Sequence, residues 1–207
     1  MHVVGNTVVD ALFHVRDHLL PRLAPDPLLA ELQARDHRLV LVTGHRRESF
    51  GDDFAAICAG LRRLAAAFPA VTFVYPVHPN PHVRKGVDTH LRGTANVRLV
   101  DPVSYVPFVR LMLHAALIIT DSGGIQEEAT ALGVPVLVTR RTCERLEAVE
   151  AGVAQLVGPD PDAIVAAGTA LLGDAAHHRA RAVPSTVFGD GQASARIARV
   201  LGDYRRT

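Results

Sequence analysis

The sequence has no tryptophan, two cysteines, two methionines and, among its 207 residues, a single lysine, Lys85. Cys58 and Cys143 stand far apart and form neither a metal-ligand nor a redox spacing. That excludes a disulfide scaffold and fits free thiols in a reducing compartment. No uninterrupted apolar run reaches the roughly 18 residues that suggest a membrane span. The opening residues (MHVVGN) lack the basic and apolar regions of a secretory signal, so the expected location is the cytoplasm, without a membrane. Charge of one sign is lacking too, since 22 Lys and Arg against 21 Asp and Glu leave a formal charge of +1. No global field then draws the chain to nucleic acid or anionic lipid, and any anion has to be held locally. Aromatic residues make up only 5%, but 48% hydrophobic and 21% charged residues describe a globular chain of one or at most two domains and exclude disorder as its main character. With one lysine, the basic residues are almost all arginine, which beside the alanine richness reads as compositional bias.

From Arg38 onward, short β-branched runs alternate with helical stretches. The runs are continuously apolar, as in strands covered on both faces, so the pattern predicts a parallel α/β sheet. The expected strands are Arg38 to Thr43, Val71 to Val77, Val97 to Val100, Leu117 to Thr120 with the alanines before it, Pro135 to Thr139, and Val153 to Val157. Helices are expected at Asp52 to Phe68, Ser104 to His114, Gly124 to Leu132 and Asp160 to Leu172. Six strands fit one doubly wound sheet with right-handed crossovers. Residues 1–37 read as a helix over Thr7 to Leu20 followed by a linker punctuated by Pro21, Pro25 and Pro27. Residues 38–188 read as the sheet domain, and 189–207 as a final helix behind the Gly189–Gly191 break. The stripes Val8, Leu12, Val15, Leu19 and Ile197, Val200, Leu201 have no partner in such a sheet, and are expected to form an exposed patch that drives dimerisation or aggregation.

In an open parallel sheet, ligands bind beyond the carboxyl ends of the strands. The loop after the fourth strand, Thr120 to Glu128 (TDSGGIQEE), joins two glycines to a helix start, which suits a phosphate or diphosphate. Glu127 and Glu128 follow, where a carboxylate can accept bonds from vicinal sugar hydroxyls. Taken alone, the string also describes a glycine-softened turn with acidic residues complementing the helix dipole. The first loop, Thr43 to Gly51 (TGHRRESFG), places His45, Arg46 and Arg47 at the same edge, a proton-transfer group beside two anion-binding groups. His78 follows the second strand. After the fifth, Arg145 can reach a phosphate or hold Glu128 or Glu144. His14 and His18 have helical i, i+4 spacing but no third ligand nearby, so no metal site is expected. Ser122 is no nucleophile elbow, because Thr120 stands where that turn needs glycine.

Together these strings resemble the non-hydrolysing UDP-N-acetylglucosamine 2-epimerases. The matching stretches are residues 5–12 (GNTVVDAL), 43–51, 74–81 (VYPVHPNP), 121–129 (DSGGIQEEA), 132–138 (LGVPVLV) and 189–191. The resemblance implies a glycosyltransferase-B-like pair of Rossmann-like domains around a cleft, with this chain the carboxyl-terminal, UDP-binding half. The other half ordinarily brings a Gly-Thr-Arg-Pro-Glu loop and the acidic residues of proton transfer. It further implies a catalytic or sugar-proximal role for His45, a diphosphate cradle at Ser122, Gly123 and Gly124, Glu128 as ribose ligand and Arg145 as diphosphate partner. Val103, through its backbone, and Phe108 would flank the uracil. Arg46 and His78 match positions that contact a second, regulatory UDP-sugar. Cys143 stands where the family usually has threonine, and Leu146 where it has proline.

The implied reaction interconverts UDP-N-acetylglucosamine and UDP-N-acetylmannosamine through loss and re-addition of UDP, with no metal or other cofactor, in nucleotide-sugar and polysaccharide biosynthesis. The implied partners are a UDP-sugar and either a second copy of the chain or the amino-terminal half. Little turnover is expected from this chain alone. A UDP-sugar glycosyltransferase domain, a hydrolysing epimerase and an inactive UDP-binding remnant are the competing readings.

Overall fold

The structure, a computed structural model, describes residues 1–44 and 51–204. Six parallel strands, β1 (Arg38–Thr43), β2 (Val71–Pro76), β3 (Val97–Val100), β4 (Ala115–Thr120), β5 (Val136–Val138) and β6 (Ala154–Leu156), form one sheet in the order β3-β2-β1-β4-β5-β6. The order reverses between β1 and β4, and the crevice at that switch lies at the carboxyl ends of the strands. All six expected strands are present, with no end displaced by more than one residue. Their apolar runs are continuous because alternate residues bury on opposite faces. Val40 and Val42 of β1 join one core, Leu39 and Leu41 the other.

The first core is closed by α3 (Asp52–Ala67), α4 (Pro81–Leu91) and α8 (Pro161–Gly173). The second is closed by α1 (Thr7–His14), α2 (Pro27–Ala34), α5 (Tyr105–His114), α6 (Gly123–Leu132) and α7 (Leu146–Glu150). Beyond these come α9 (Ala175–Arg181) and α10 (Ala193–Tyr204). Among the described residues no helix is long and apolar enough to cross a membrane.

Three expectations are corrected. The stretch read as a linker contains α2, because Asp26 accepts from the amides of Leu28 and Leu29 and Pro27 opens the helix, where a proline costs nothing. The same device, Asn80 capping a helix that opens at Pro81, builds α4, a helix not among those expected above. The first stripe is also not exposed. Val9, Leu12 and Val15 are buried and Val8 and Leu19 pack against the second core. The helix stops at His14 and continues as a wider π-type turn, Val15–Leu19. Only α10 keeps an open ridge, with Leu201 61% exposed and Ile197 37%. It is held by Asp10 of α1, whose oxygens accept from the amides of Ala193 (3.1 Å) and Ser194 (2.7 Å).

Candidate nucleotide site

Parallel pairing sets Thr43 beside Thr120 and Thr120 beside Val138, so three strand ends lie level at the switch. The hydroxyls of Thr43 and Thr120 are 2.6 Å apart, and the Thr120 hydroxyl accepts from the amide of Ser122 at 3.0 Å. That bond turns the chain into α6. Ser122 is the N-cap residue, yet its side chain makes no capping bond. The first intrahelical bond on this turn is Gln126 N to Ser122 O at 3.3 Å, so the amides of Gly123, Gly124 and Ile125 precede the helical ladder. A side chain at Gly124 would meet nothing within 4 Å. The space above the helix start is open, and open amides at the positive end of a helix attract anions.

Arg145 occupies the flank of this space. Its guanidinium carbon and one terminal nitrogen lie 3.5 Å from where a Cβ on Gly123 would stand, and its side chain is 32% exposed. Its Nε donates to Glu127 Oε1. The expected partners Glu128 and Glu144 are thus corrected in part: Glu127, one residue from Glu128, takes the principal bond, and Glu144 lies at 3.9 Å. Cys143 does here what a threonine would do. Its sulfur accepts from the amide of Arg145 (3.4 Å) and donates to Gln126 Oε1 (3.3 Å). Leu146 is exposed as the first residue of α7, a position that proline also fits.

Glu128 is buried one turn into α6, with its Oε1 accepting from the Tyr105 hydroxyl at 2.6 Å. Burial pushes its carboxyl above the ordinary range; the Tyr105 bond pulls it back, and the nearby Glu127 charge raises it again. Tyr105 opens α5, so its bond ties the starts of α5 and α6 together. Val103 lies exposed just before α5, and Phe108 is half-buried on its first turn, its amide bonded to Ser104 O. Ser122, Gly123, Gly124, Glu128 and Arg145 therefore gather at the start of α6, and the Tyr105 bond ties it to the start of α5, where Val103 and Phe108 lie. Tyr105 escaped the sequence reading, since only the fold brings it to Glu128.

His45, Arg46 and Arg47 lie outside the described residues. The strand leading to them ends at the switch, where Gly44 O accepts from the buried Tyr75 hydroxyl at 3.1 Å. His78 is exposed after β2, its Nδ1 accepting from the amide of Asn80 at 3.2 Å.

A sequence profile of the UDP-N-acetylglucosamine 2-epimerases matches residues 1–202. A probable UDP-N-acetylglucosamine 2-epimerase of Ralstonia solanacearum is 52% identical over 98% of this chain and 55% of its own length. The UDP-N-acetylglucosamine 2-epimerase of Escherichia coli K12 is 49% identical over the same shares. A crystal structure of UDP-GlcNAc 2-epimerase from Neisseria meningitidis bound to UDP-GlcNAc superposes with a TM-score of 0.88 at 39% identity, covering 97% of this chain and 55% of that one. The chain thus spans about half the length of the relatives it matches.

Proposed function

The chain belongs to the UDP-N-acetylglucosamine 2-epimerase family, and from that membership we propose that it forms the UDP-binding half of an enzyme interconverting UDP-N-acetylglucosamine and UDP-N-acetylmannosamine. The observation that carries this reading is the open start of α6, with Arg145 on its flank and Glu128 one turn further in. The spacing suits a nucleoside diphosphate. The amides of Gly123, Gly124 and Ile125, the Ser122 hydroxyl and Arg145 take the diphosphate, Glu128 accepts from the ribose hydroxyls, and the uracil lies along the start of α5 between the Val103 backbone and Phe108.

In the proposed reaction the C2 proton of the sugar is removed and the C1–O bond breaks, so that UDP leaves with the bonding pair and a 2-acetamidoglucal remains. Returning UDP re-forms the C1–O bond while a proton is delivered to the opposite face of C2. This half of the site acts on the leaving group. A helix terminus and a fixed guanidinium stabilise the growing diphosphate charge without reorganising during the reaction. His45 acts at the sugar and leaving oxygen, and Arg46 and His78 contact a second UDP-sugar. The scheme uses no metal or other cofactor.

Proton transfer at C2 needs groups facing the cradle from across a cleft, so we assign this chain a partner domain or a second copy to complete the site. Residues 1–37 and 189–207 serve as the connecting pieces. The setting proposed for the reaction is cytoplasmic nucleotide-sugar metabolism that feeds polysaccharide assembly. Calorimetric titration of the chain with UDP tests the reading directly. Binding that is competed by UDP-N-acetylglucosamine is expected, and a folded sample giving neither heat nor a thermal shift at millimolar UDP would overturn it.

A further inference from the structure

Glu127 belongs to no step of that mechanism, yet both of its carboxylate oxygens are engaged beside the start of α6. Only 6% of it is exposed. Its Oε1 accepts from Arg145 Nε and its Oε2 from Asn6 Nδ2. A buried carboxylate with a guanidinium donor on one oxygen and a neutral amide donor on the other is fixed in place, and a planar guanidinium bonded through Nε is fixed with it. Cζ, Nη2 and Nε of that guanidinium, at 3.5, 3.5 and 3.8 Å, are what a Cβ on Gly123 would meet, while Nη1 donates to the Glu144 carbonyl at 3.4 Å.

Asn6 can engage Glu127 in one orientation only. Its Oδ1 accepts from the amide of Val8 at 3.1 Å to cap α1, which leaves Nδ2 for Glu127. Its own amide donates to Phe188 O at 2.7 Å. Beside it, Gly5 (φ +90°) passes so near Gly189 that a Cβ on Gly5 would lie 3.1 Å from the Gly189 Cα. Asn6 is therefore pinned where the chain's first segment crosses its last.

We propose that Glu127 is a positioning residue that, clamped by Asn6, holds the Arg145 guanidinium against the start of α6, so that recognition of a nucleoside diphosphate depends on the packing of the amino-terminal segment. The assignment rests on the reading of Arg145 as diphosphate partner. It differs from a plain buried ion pair in one respect. A purely structural pair, once weakened, affects every ligand alike through the folded fraction, whereas this one acts only on the part of the ligand that Arg145 touches.

The test compares UDP with uridine by NMR and calorimetric titration of the full 207-residue chain. Arg145→Ala and Glu127→Gln are each expected to weaken UDP about tenfold or more and to leave uridine within about twofold. The double variant should bind UDP no more weakly than Arg145→Ala alone, because the carboxylate acts through the arginine. Asn6→Ser keeps a residue able to cap α1 and removes the donor, so it should give the same pattern at smaller amplitude and carries the comparison should Glu127→Gln fold poorly. An unchanged UDP-to-uridine ratio in Glu127→Gln and Asn6→Ser, or additive losses in the double variant, overturns the assignment. Absence of UDP binding by the parent chain overturns instead the nucleotide site on which it rests.

Discussion

The Tyr105 hydroxyl donates to Glu128 Oε1 at 2.6 Å, joining the starts of α5 and α6 across the proposed nucleoside site. Burial holds the carboxyl above its ordinary pKa, so the ionised group costs stability in the folded state. That cost is full above the raised pKa and is relieved as pH falls through it toward the unfolded value of about 4.3. Ribose binding runs the other way, because the ionised group is the better acceptor. Glu128→Gln is therefore expected to melt no lower than the parent while binding UDP roughly ten- to a hundredfold more weakly, the loss of one charge-assisted bond. Relative to that variant, the parent should lose UDP affinity and gain stability over the same falling-pH window. Tyr105→Phe removes the bond that lowers the pKa, so the window should move upward. Thermal shifts and titrations between pH 4 and 8 check both signs, and a drop in stability in Glu128→Gln at neutral pH would contradict the account.

Gly124 separates packing from ligand approach. A Cβ there meets nothing within 4 Å, and alanine is the better helix former by up to about 1 kcal/mol. Gly124→Ala should then leave the melting temperature unchanged or higher. UDP affinity should fall at least about tenfold, because the new methyl stands where a phosphate must approach. Gly133→Ala is the control: its φ is +70° and a Cβ would meet Pro184 at 2.5 Å, so stability should fall with no direct effect on the site. If Gly124→Ala binds UDP as the parent does, the diphosphate does not lie over α6.

Much of this arrangement was legible in the sequence, for reasons that also mark what was not. The strands announced themselves because residues such as Leu39 to Val42 are apolar on both faces, a pattern that depends only on local order. The open start of α6 was legible because Ser122 to Glu128 is one contiguous string at a strand end. Helices α2 and α4 are missing from the sequence pattern because proline ends helices elsewhere, whereas Pro27 and Pro81 each follow a capping Asp or Asn at the one position where proline suits a helix start. The partners of the site residues were invisible for another reason. Asn6 and Glu127 are separated by 121 residues, and Glu128 meets Tyr105 only because α5 and α6 flank neighbouring strands.

Leu146 and Cys143, the two departures from the family's residues, are expected to be mild. Leu146 opens α7, where proline's fixed φ suits the helix and its missing amide has no helical partner to lose. Leu146→Pro should raise stability by about 0.4–1 kcal/mol through the unfolded state without altering UDP binding. Cys143→Thr should keep both bonds of the sulfur, to Gln126 and to the Arg145 amide. Denaturant midpoints and UDP titrations check both. A fall in UDP affinity in Leu146→Pro would show that the Arg145 backbone had shifted.

Leu12 and Leu201 were expected to share one exposed patch, and the structure sets them at opposite extremes, with Leu12 0% and Leu201 61% exposed. Leu12→Asp would place a charge in the second core and should destabilise by several kcal/mol or prevent folding. Leu201→Glu should stay within about 0.5 kcal/mol of the parent, and should reduce any self-association that the α10 ridge drives. Asp10→Ala tests the attachment of that helix. Burial raises the Asp10 carboxyl, but bonds from Ser194 and Ala193 outweigh it and leave the pKa lowered. Its contribution is therefore present above the unfolded pKa of about 3.9 and is lost as pH falls through the lower folded value. At neutral pH the substitution should cost about 1 kcal/mol, the usual worth of a helix cap, and raise hydrogen exchange in residues 193–204 before the rest of the fold. Uniform loss of protection across the sheet would mean that α10 is integral to the core, and light scattering on Leu201→Glu would then be expected to match the parent.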